Sequence, residues 1–181
     1  MIRVGILGLS RRDGTFSEVG LRSWEEAGCA AVEAALMTGS EGLYILHRPL
    51  VVRSARAEVE RILRDWCDAP HVPSRCHLVL TVGGTGYSAL DVVPEATQPL
   101  LRRDAPGIAE LLRRTAADLG DLEDAVSRGV AGMRGETLLI NLPGNGVGFA
   151  KPEPLQAMTH ALRPVLPSLV ASLTASPSPQ G

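Results

Sequence analysis

A run of glycines at Gly83–Gly86, followed closely by a carboxylate at Asp91, could bind a phosphate group and a metal ion. Glycine permits positive φ angles and lets the backbone come close to a ligand. Successive N–H groups in such a loop can form a concave anion site, to which the hydroxyl of Thr85 adds a donor. A carboxylate such as that of Asp91 is a ligand that Mg²⁺ prefers. The pattern indicates a phosphate-binding loop beside a carboxylate or, alternatively, only a glycine-rich turn between a strand and a helix.

The predicted elements around this loop favour a ligand site. Leu78–Leu80 is a short apolar run typical of a buried parallel strand, and Pro94 follows as the expected start of a helix. The loop is not a P-loop, because no Gly-Lys-Ser/Thr sequence follows it. A second predicted strand, Thr137–Ile140, also ends in a loop rich in proline and glycine, at residues 141–148. Two such loops at the same edge of a sheet would frame one crevice.

The segment from Cys76 to Thr97 resembles the signature of a known family. Its sequence, CHLVLTVGGTGYSALDVVPEAT, is similar to the TTGGTG…RDVTPEAT signature of the molybdopterin adenylyltransferase family, which includes MogA and MoaB-like proteins and a domain of gephyrin. The matching positions are Thr81, Gly83, Gly84, Thr85, Gly86, Asp91, Val92, Pro94, Glu95, Ala96 and Thr97. Three later segments resemble the family's M-P-G, S-R and N-L-P-G motifs, namely Ala105–Gly107, Val126–Arg128 and Asn141–Gly144. The resemblance covers about residues 1–165.

The resemblance implies that Mg-ATP and molybdopterin react to give adenylated molybdopterin and pyrophosphate, in a homotrimer. It implies that Asp91 binds Mg²⁺ and acts in catalysis, and that Ser127 is a second catalytic residue. The residues that it implies for binding nucleotide or pterin are Gly83, Gly84, Thr85, Gly86, Glu95, Asn141, Pro143 and Gly144. The terminal phosphate of the pterin would attack the α-phosphorus of ATP. The protein would have to align two anions and stabilise the leaving pyrophosphate.

The sequence departs from the family pattern after the second predicted strand. The family has an acidic P-D-[DE] motif there, whereas this chain has Arg53, Ser54 and Ala55. Arginine favours phosphate and repels a divalent cation. A second hypothesis is therefore a protein that binds molybdopterin or its adenylated form with little catalysis, and a third is an enzyme for another phosphorylated metabolite. For Ser54 itself, the sequence favours a role as the N-cap of the next helix.

The composition is that of an ordinary globular domain. The chain has 181 residues, of which 45% are hydrophobic and 21% charged, with a formal net charge of −2. A chain without basic excess gives no indication of a nucleic-acid partner, and no apolar run approaches membrane-spanning length. The three cysteines are widely spaced and suggest reduced thiols packed in or near the core, at Cys29, Cys67 and Cys76. We expect a cytoplasmic protein.

Alternating apolar strands and amphipathic helices predict a three-layer α/β/α sandwich with a mostly parallel, doubly wound sheet. The predicted strands are Ile2–Leu9, Leu43–His47, Leu78–Leu80 and Thr137–Ile140. The predicted helices are one beginning after an N-cap at Ser17, then Ser54–Asp68, Pro94–Arg103, Pro106–Leu119 and Glu153–Leu173, the last broken near Pro164. Residues 125–135 fit neither pattern. We expect one domain over residues 1–173 and a disordered tail over residues 174–181.

Overall fold

A mostly parallel sheet forms the centre of the chain. The computed structural model describes residues 2–10, 18–38, 44–46, 50–69, 75–144 and 153–175. The strands are β1 (Ile2–Ser10), β2 (Tyr44–Leu46), β3 (Leu50–Arg53), β4 (Leu78–Val82), β5 (Arg103–Asp104), β6 (Ala131–Arg134) and β7 (Thr137–Leu142). The helices are α1 (Glu18–Met37), α2 (Arg56–Asp68), α3 (Val93–Thr97), α4 (Pro106–Asp118), α5 (Leu122–Ala125), α6 (Glu153–Leu162) and α7 (Leu166–Thr174), and Gln98–Leu100 forms a 3₁₀ turn.

The order of the strands brings several carboxyl ends to one edge of the sheet. Across the sheet the order is β2, β1, β4, β7, β6 and β5, and β3 also pairs with β1. Strand β2 pairs with the first residues of β1, and β3 pairs with its last residues, Leu7–Ser10. The pairs among β1, β3, β4 and β7 are all parallel, whereas β6 runs antiparallel to both β7 and β5. Strands β1, β3, β4 and β7 therefore end side by side.

Each face of the sheet is covered by helices, so the chain has three layers. On β4 and β7, alternate residues point to opposite faces, as the pleat of a strand requires. One face packs against α1, α4, α6 and α7 through Leu78, Leu80, Leu138 and Ile140. The other face packs against α2 and α3 through Val79 and Leu139. All three cysteines are buried, as predicted. Among the described helices, none is both long and apolar enough to cross a membrane.

The predicted sandwich with a mostly parallel sheet is confirmed, but several boundaries differ. The predicted helix Pro94–Arg103 is shorter, because Leu101 leaves the helical conformation and Arg103–Asp104 pairs with β6. The unassigned residues 125–135 contain β6. Strand β3 was not predicted. Asn141, predicted to lie in a loop, is part of β7, and Thr174, predicted to lie in the tail, is the last residue of α7. The break near Pro164 is confirmed between α6 and α7.

Some sequence predictions fall outside the described residues. These are the N-cap at Ser17, both ends of the predicted strand Leu43–His47, residues 145–148 of the second loop and residues 176–181 of the expected tail. The side chain of Arg53 also lies outside the described part of the chain.

Gly5 of β1 is expected to be sensitive to any added side chain. A Cβ atom there would lie 2.5 Å from Cε3 of Trp66 and 3.1 Å from Sγ of Cys76. We expect Gly5→Ala to lower the free energy of unfolding by about 1–3 kcal/mol through overpacking. Gly107→Ala is the matched control, because no atom lies within 4 Å of an added Cβ in that exposed first turn of α4. Its stability should be unchanged or rise by up to about 1 kcal/mol. Urea denaturation measures both variants, and equal stabilities would contradict the packing argument.

Candidate functional site

The glycine loop, Gly83–Gly86, lies where the carboxyl ends of three strands meet. The N–H of Gly83 donates to the carbonyl oxygen of Leu142 at 3.1 Å, which ties the end of β4 to the end of β7. A Cβ atom added at Gly83 would lie 3.4 Å from the carbonyl oxygen of Leu9 in β1 and 4.0 Å from Cα of Gly144. The buried residue Pro143 separates Leu142 from Gly144. The two predicted loops therefore meet at one edge of the sheet.

Two glycines of this loop adopt a backbone conformation that other residues rarely adopt. The φ angle is 93° at Gly83 and 68° at Gly84. A Cβ atom at Gly84 would lie 2.6 Å from Cγ2 of Val93, the first residue of α3. The carbonyl oxygen of Gly84 accepts a hydrogen bond from the N–H of Val93 at 3.1 Å. Both the left-handed conformation and the close approach of α3 explain why the loop requires glycine.

The N–H groups that follow in this loop have no partner among the described residues. We call this set the amide cradle, and it consists of the backbone N–H groups of Gly84, Thr85, Gly86 and Tyr87. No described residue accepts a hydrogen bond from any of them. Gly84 and Thr85 are nevertheless buried. Gly86 is half-buried and Tyr87 is exposed, so their N–H groups can also bond to water. Because nearly all buried N–H groups in proteins are paired, the donors of Gly84 and Thr85, which have no acceptor in the described part of the chain, indicate a place for an anionic ligand.

Asp91 is buried beside the glycine loop. Its side chain is 6% exposed. The Oδ2 atom accepts a hydrogen bond from the N–H of Ser88 at 2.8 Å, and the N–H of Asp91 donates to the carbonyl oxygen of Ser88 at 3.0 Å. No described residue donates to Oδ1. Asp91 thus closes the turn after the loop, and one of its carboxylate oxygens has no donor in the described part of the chain.

Ser127 contacts the glycine loop through a hydroxyl pair. Its Oγ atom donates to Oγ1 of Thr85 at 3.0 Å and accepts from the N–H of Gly129 at 3.2 Å. Both hydroxyls are buried. The predicted residues Thr85 and Ser127 are therefore brought together, with the hydroxyl of Thr85 beside the amide cradle.

Arg128 contacts the glycine loop and the residues that follow it through four N–H groups. Its backbone N–H donates to the carbonyl oxygen of Thr85 at 3.0 Å, and its Nε donates to that of Gly86 at 2.6 Å. One terminal nitrogen donates to the carbonyl oxygen of Asp91 at 2.6 Å, and the other pairs with the carboxylate of Glu95. This hydrogen bond from Arg128 lowers the pKa of Glu95 below its usual value.

Asn141 uses its side-chain amide entirely within the protein. Its Nδ2 atom donates to Oγ1 of Thr81 at 3.0 Å and to Oγ1 of Thr97 at 3.1 Å. Its Oδ1 atom accepts from the N–H of Val130 at 3.2 Å. The residue is 2% exposed. The geometry thus gives Asn141 a part in supporting the site and leaves no amide hydrogen for a ligand.

Ser54 lies against the glycine loop, and its predicted role as a helix cap is wrong. The N-cap of α2 is Ala55, and it makes no side-chain capping bond. The hydroxyl of Ser54 donates instead to the carbonyl oxygen of Leu90. Its Oγ atom would lie 3.5 Å from a Cβ atom added at Gly84. The position at which the family resemblance implies a carboxylate therefore does adjoin the loop, but it carries a hydroxyl.

Two arginines complete the site, and neither was singled out from the sequence. Arg128 was quoted only as part of a short motif, although it contacts two carbonyl oxygens of the loop, those of Thr85 and Gly86, and a third at Asp91. Arg113 of α4 donates to the carbonyl oxygens of Ser127 and Gly129 at 3.3 and 3.2 Å. The partners of both arginines are distant in sequence, so periodicity gave no signal for these contacts.

The chain is similar to proteins of molybdopterin metabolism. The family described as "Probable molybdopterin binding domain" matches residues 35–167. The molybdopterin adenylyltransferase of Helicobacter pylori is 36% identical over 121 residues, which cover 66% of this chain and 62% of that relative. The enzyme of the same name from Escherichia coli K12 is 32% identical over 146 residues, covering 79% and 67% of the two chains. This chain thus spans less than two thirds of the H. pylori relative.

A solved structure extends the likeness over nearly the whole chain. The molybdopterin biosynthesis enzyme MoaB from Thermus thermophilus superposes with a TM-score of 0.76 at 34% sequence identity. The alignment covers 98% of this chain and 99% of that protein. The likeness therefore includes both loops that meet at the sheet edge.

The pair formed by Glu95 and Arg128 predicts a measurable pH dependence. A lowered pKa means that the pair stabilises the fold above the unfolded pKa of Glu95, about 4.3, and that this contribution is lost as the pH falls through the lowered folded value. NMR titration of the Glu95 carboxylate should give a pKa below the usual value, and Arg128→Gln should restore the usual value. Identical Glu95 titrations in the two proteins would show that the ion pair does not form in solution.

Proposed function

The chain belongs to the molybdopterin-binding domain family, and from this premise we propose that it transfers the adenylyl group of ATP to molybdopterin. The observation that carries the proposal is the amide cradle, whose N–H groups have no acceptor among the described residues. Fixed donors of this kind bind phosphate oxygens and stabilise charge that develops on them. Relatives named molybdopterin adenylyltransferase support the reaction type.

In the proposed reaction, the residues of the loop bind and orient phosphate groups. An oxygen of the terminal phosphate of molybdopterin forms a bond to the α-phosphorus of ATP, and the bond from that phosphorus to the bridging oxygen breaks, releasing pyrophosphate. The amide cradle and the hydroxyl of Thr85 donate hydrogen bonds to phosphate oxygens. Ser127 positions Thr85 through its hydroxyl. Holding both phosphates in line accounts for most of what a protein can contribute to such a step.

The described residues offer one carboxylate beside the loop that could bind Mg²⁺. Mg²⁺ is commonly bound by one or two carboxylates together with substrate phosphates. Asp91 offers an oxygen without a donor among the described residues, whereas Glu95 is engaged by Arg128. Within the described ranges, no three His, Cys, Asp or Glu residues cluster as a metal site. Asp91 is therefore the residue that would hold Mg²⁺, which when bound would neutralise part of the phosphate charge.

A second candidate function is binding of molybdopterin or its adenylated form with little turnover. One observation favours it, namely that the residue beside the loop at position 54 is serine rather than a carboxylate. A site with only Asp91 would bind a phosphorylated ligand through neutral donors and hold the metal ion weakly. The family resemblance also suggests a cytoplasmic homotrimer without nucleic-acid or membrane partners, and these points belong to the same proposal.

Substitution of Gly84 should weaken binding of phosphate groups. Alanine there adds a strain of about 1–2 kcal/mol at a positive φ, in addition to its contact with Val93. Val93→Ala is the matched control, because it removes the methyl group that an alanine Cβ would meet. We expect Gly84→Ala/Val93→Ala to bind AMP and pyrophosphate about 10-fold more weakly than Val93→Ala does, as measured by calorimetry. Equal affinities in the two folded variants would remove the anion site from this loop.

Variants at Asp91 and Ser54 should separate the enzyme from the binding protein. Asp91→Asn keeps an acceptor for the N–H of Ser88 but loses the charge, so Mg²⁺-dependent transfer should fall by about 10²-fold or more. Ser54→Asp adds a carboxylate beside the loop and should raise that rate, whereas the neutral control Ser54→Asn should not. The assay quantifies adenylated molybdopterin and pyrophosphate by mass spectrometry.

The outcomes of this assay discriminate between the two candidate functions. Fast Mg²⁺-dependent transfer by the wild type, without a gain in Ser54→Asp, would exclude the binding protein and support the enzyme. Tight binding of molybdopterin without transfer in the wild type would support the binding protein. Failure to bind molybdopterin, AMP and pyrophosphate would overturn both.

A further inference from the structure

Arg128 holds the glycine loop and the turn that follows it by donating hydrogen bonds to their carbonyl oxygens. Three of its N–H groups donate to the oxygens of Thr85, Gly86 and Asp91 at 3.0, 2.6 and 2.6 Å. The guanidinium group also lies 5.8 Å from the centre of the Tyr87 ring. No other described side chain donates to more than one carbonyl oxygen between residues 84 and 91. The loop is therefore fixed chiefly from the side of Arg128.

These bonds determine where the donors of the amide cradle point. In a trans peptide unit, the C=O of one residue and the N–H of the next point in opposite directions. The oxygens of Thr85 and Gly86 point toward Arg128, so the N–H groups of Gly86 and Tyr87 point away from it. Those are two of the N–H groups without an acceptor in the described residues. Arg128 therefore fixes the direction of the donors without using any of them.

Neighbouring residues hold Arg128 itself in place. The carboxylate of Glu95 accepts from one terminal nitrogen and balances the positive charge. The hydroxyl of Tyr87 donates to the carbonyl oxygen of Val126 at 2.7 Å, which keeps the ring over the guanidinium group. Arg113 donates to the carbonyl oxygens on both sides of Arg128, those of Ser127 and Gly129. A side chain anchored in this way is suited to position a loop.

We propose that Arg128 is the positioning residue of the anion site, which orders the amide cradle for phosphate groups without contacting them. The inference rests on the proposed phosphate site but not on which phosphorylated molecule occupies it. A lysine could not replace the arginine, because one ammonium group cannot reach the three acceptors that the planar guanidinium group serves, namely the carbonyl oxygens of Gly86 and Asp91 and the carboxylate of Glu95. The bond from the backbone N–H of residue 128 to Thr85 remains in every variant. Charge alone is thus not what this position requires.

The main experiment compares Arg128→Lys and Arg128→Gln with the wild type, using pyrophosphate and AMP as probes. We expect both variants to bind each probe about 10-fold more weakly or worse, since bonds from a charged donor to the loop are lost in both. Arg114→Gln is the matched control: it removes the same charge, but its side chain is exposed and, within the described ranges, its ion pair is with Glu110 on its own helix. Its affinities should equal those of the wild type.

Hydrogen exchange measures the order of the same loop in the protein without any ligand. The N–H groups of Ser88, Asp91 and Val93 are bonded within or beside the loop. We expect them to exchange faster in Arg128→Lys, with amides in the central strand β4 unchanged, which separates loop order from global stability.

In Arg128→Ala, millimolar guanidinium ion should partly restore affinity for pyrophosphate, whereas the same concentration of ammonium should not. If Arg128→Gln does not fold, Arg128→Lys supplies both readouts.

Several results would overturn the proposal. If Arg128→Lys bound pyrophosphate like the wild type, only the charge would matter. Unchanged exchange at Ser88, Asp91 and Val93 in both Arg128 variants would show that Arg128 does not order the loop. The function can fail separately, because a wild type that binds pyrophosphate through this loop but transfers no adenylyl group would refute the transferase and leave the role of Arg128 intact. If the wild type binds neither probe, the phosphate site and this inference are both wrong.

Discussion

The loop holds a stretch of backbone whose N–H groups have no acceptor among the described residues. A buried N–H without an acceptor costs on the order of 1–3 kcal/mol, so the donors of Gly84 and Thr85 do not stabilise the loop through any described residue. The chain stabilises the loop through its acceptors instead. The carbonyl oxygen of Gly84 accepts from Val93, and those of Thr85, Gly86 and Asp91 accept from Arg128. Donors remain available to a ligand because the opposite side of each peptide unit is already occupied.

A buried polar contact inside the fold places Arg128 at this loop. On the face of the sheet that packs against α2 and α3, Asn141 follows the apolar Leu139 of the same strand. Its amide joins Thr81 of β4 and Thr97 of α3 to the backbone of Val130. An apolar residue at position 141 would leave the two threonine hydroxyls and the N–H of Val130 without the partner that Asn141 provides. Burying such unpaired groups lowers stability, so the arrangement favours this one packing of the segment. The segment that carries Arg128 is thereby fixed against the ends of β4 and β7.

The sequence could predict those features that depend on residues close together in the chain. Glycine's freedom at positive φ is a property of the residue, so the loop at Gly83 and Gly84 was predictable, and its signature was local. The capping rule for Ser54 failed because a tertiary acceptor, the carbonyl oxygen of Leu90, lies 36 residues away in sequence. The contacts of Arg128 with Gly86 span 42 residues. No spacing rule reaches that far, so the positioning side chain could not be found without the fold.

Charge at the loop bears on the choice between binding and turnover. Among the described side chains that touch the loop, Arg128 is neutralised by Glu95, which leaves the negative charge of Asp91. Neutral N–H dipoles suffice to bind one phosphorylated ligand, but adenylyl transfer brings two anions together. Two unit charges 4 Å apart repel by about 4 kcal/mol near a protein surface. That repulsion calls for a cation, and Mg²⁺ that enters with ATP needs only one or two protein carboxylates. Asp91 would supply one, so a serine at position 54 is compatible with the proposed enzyme, whose rate would then depend on how well ATP retains the metal ion.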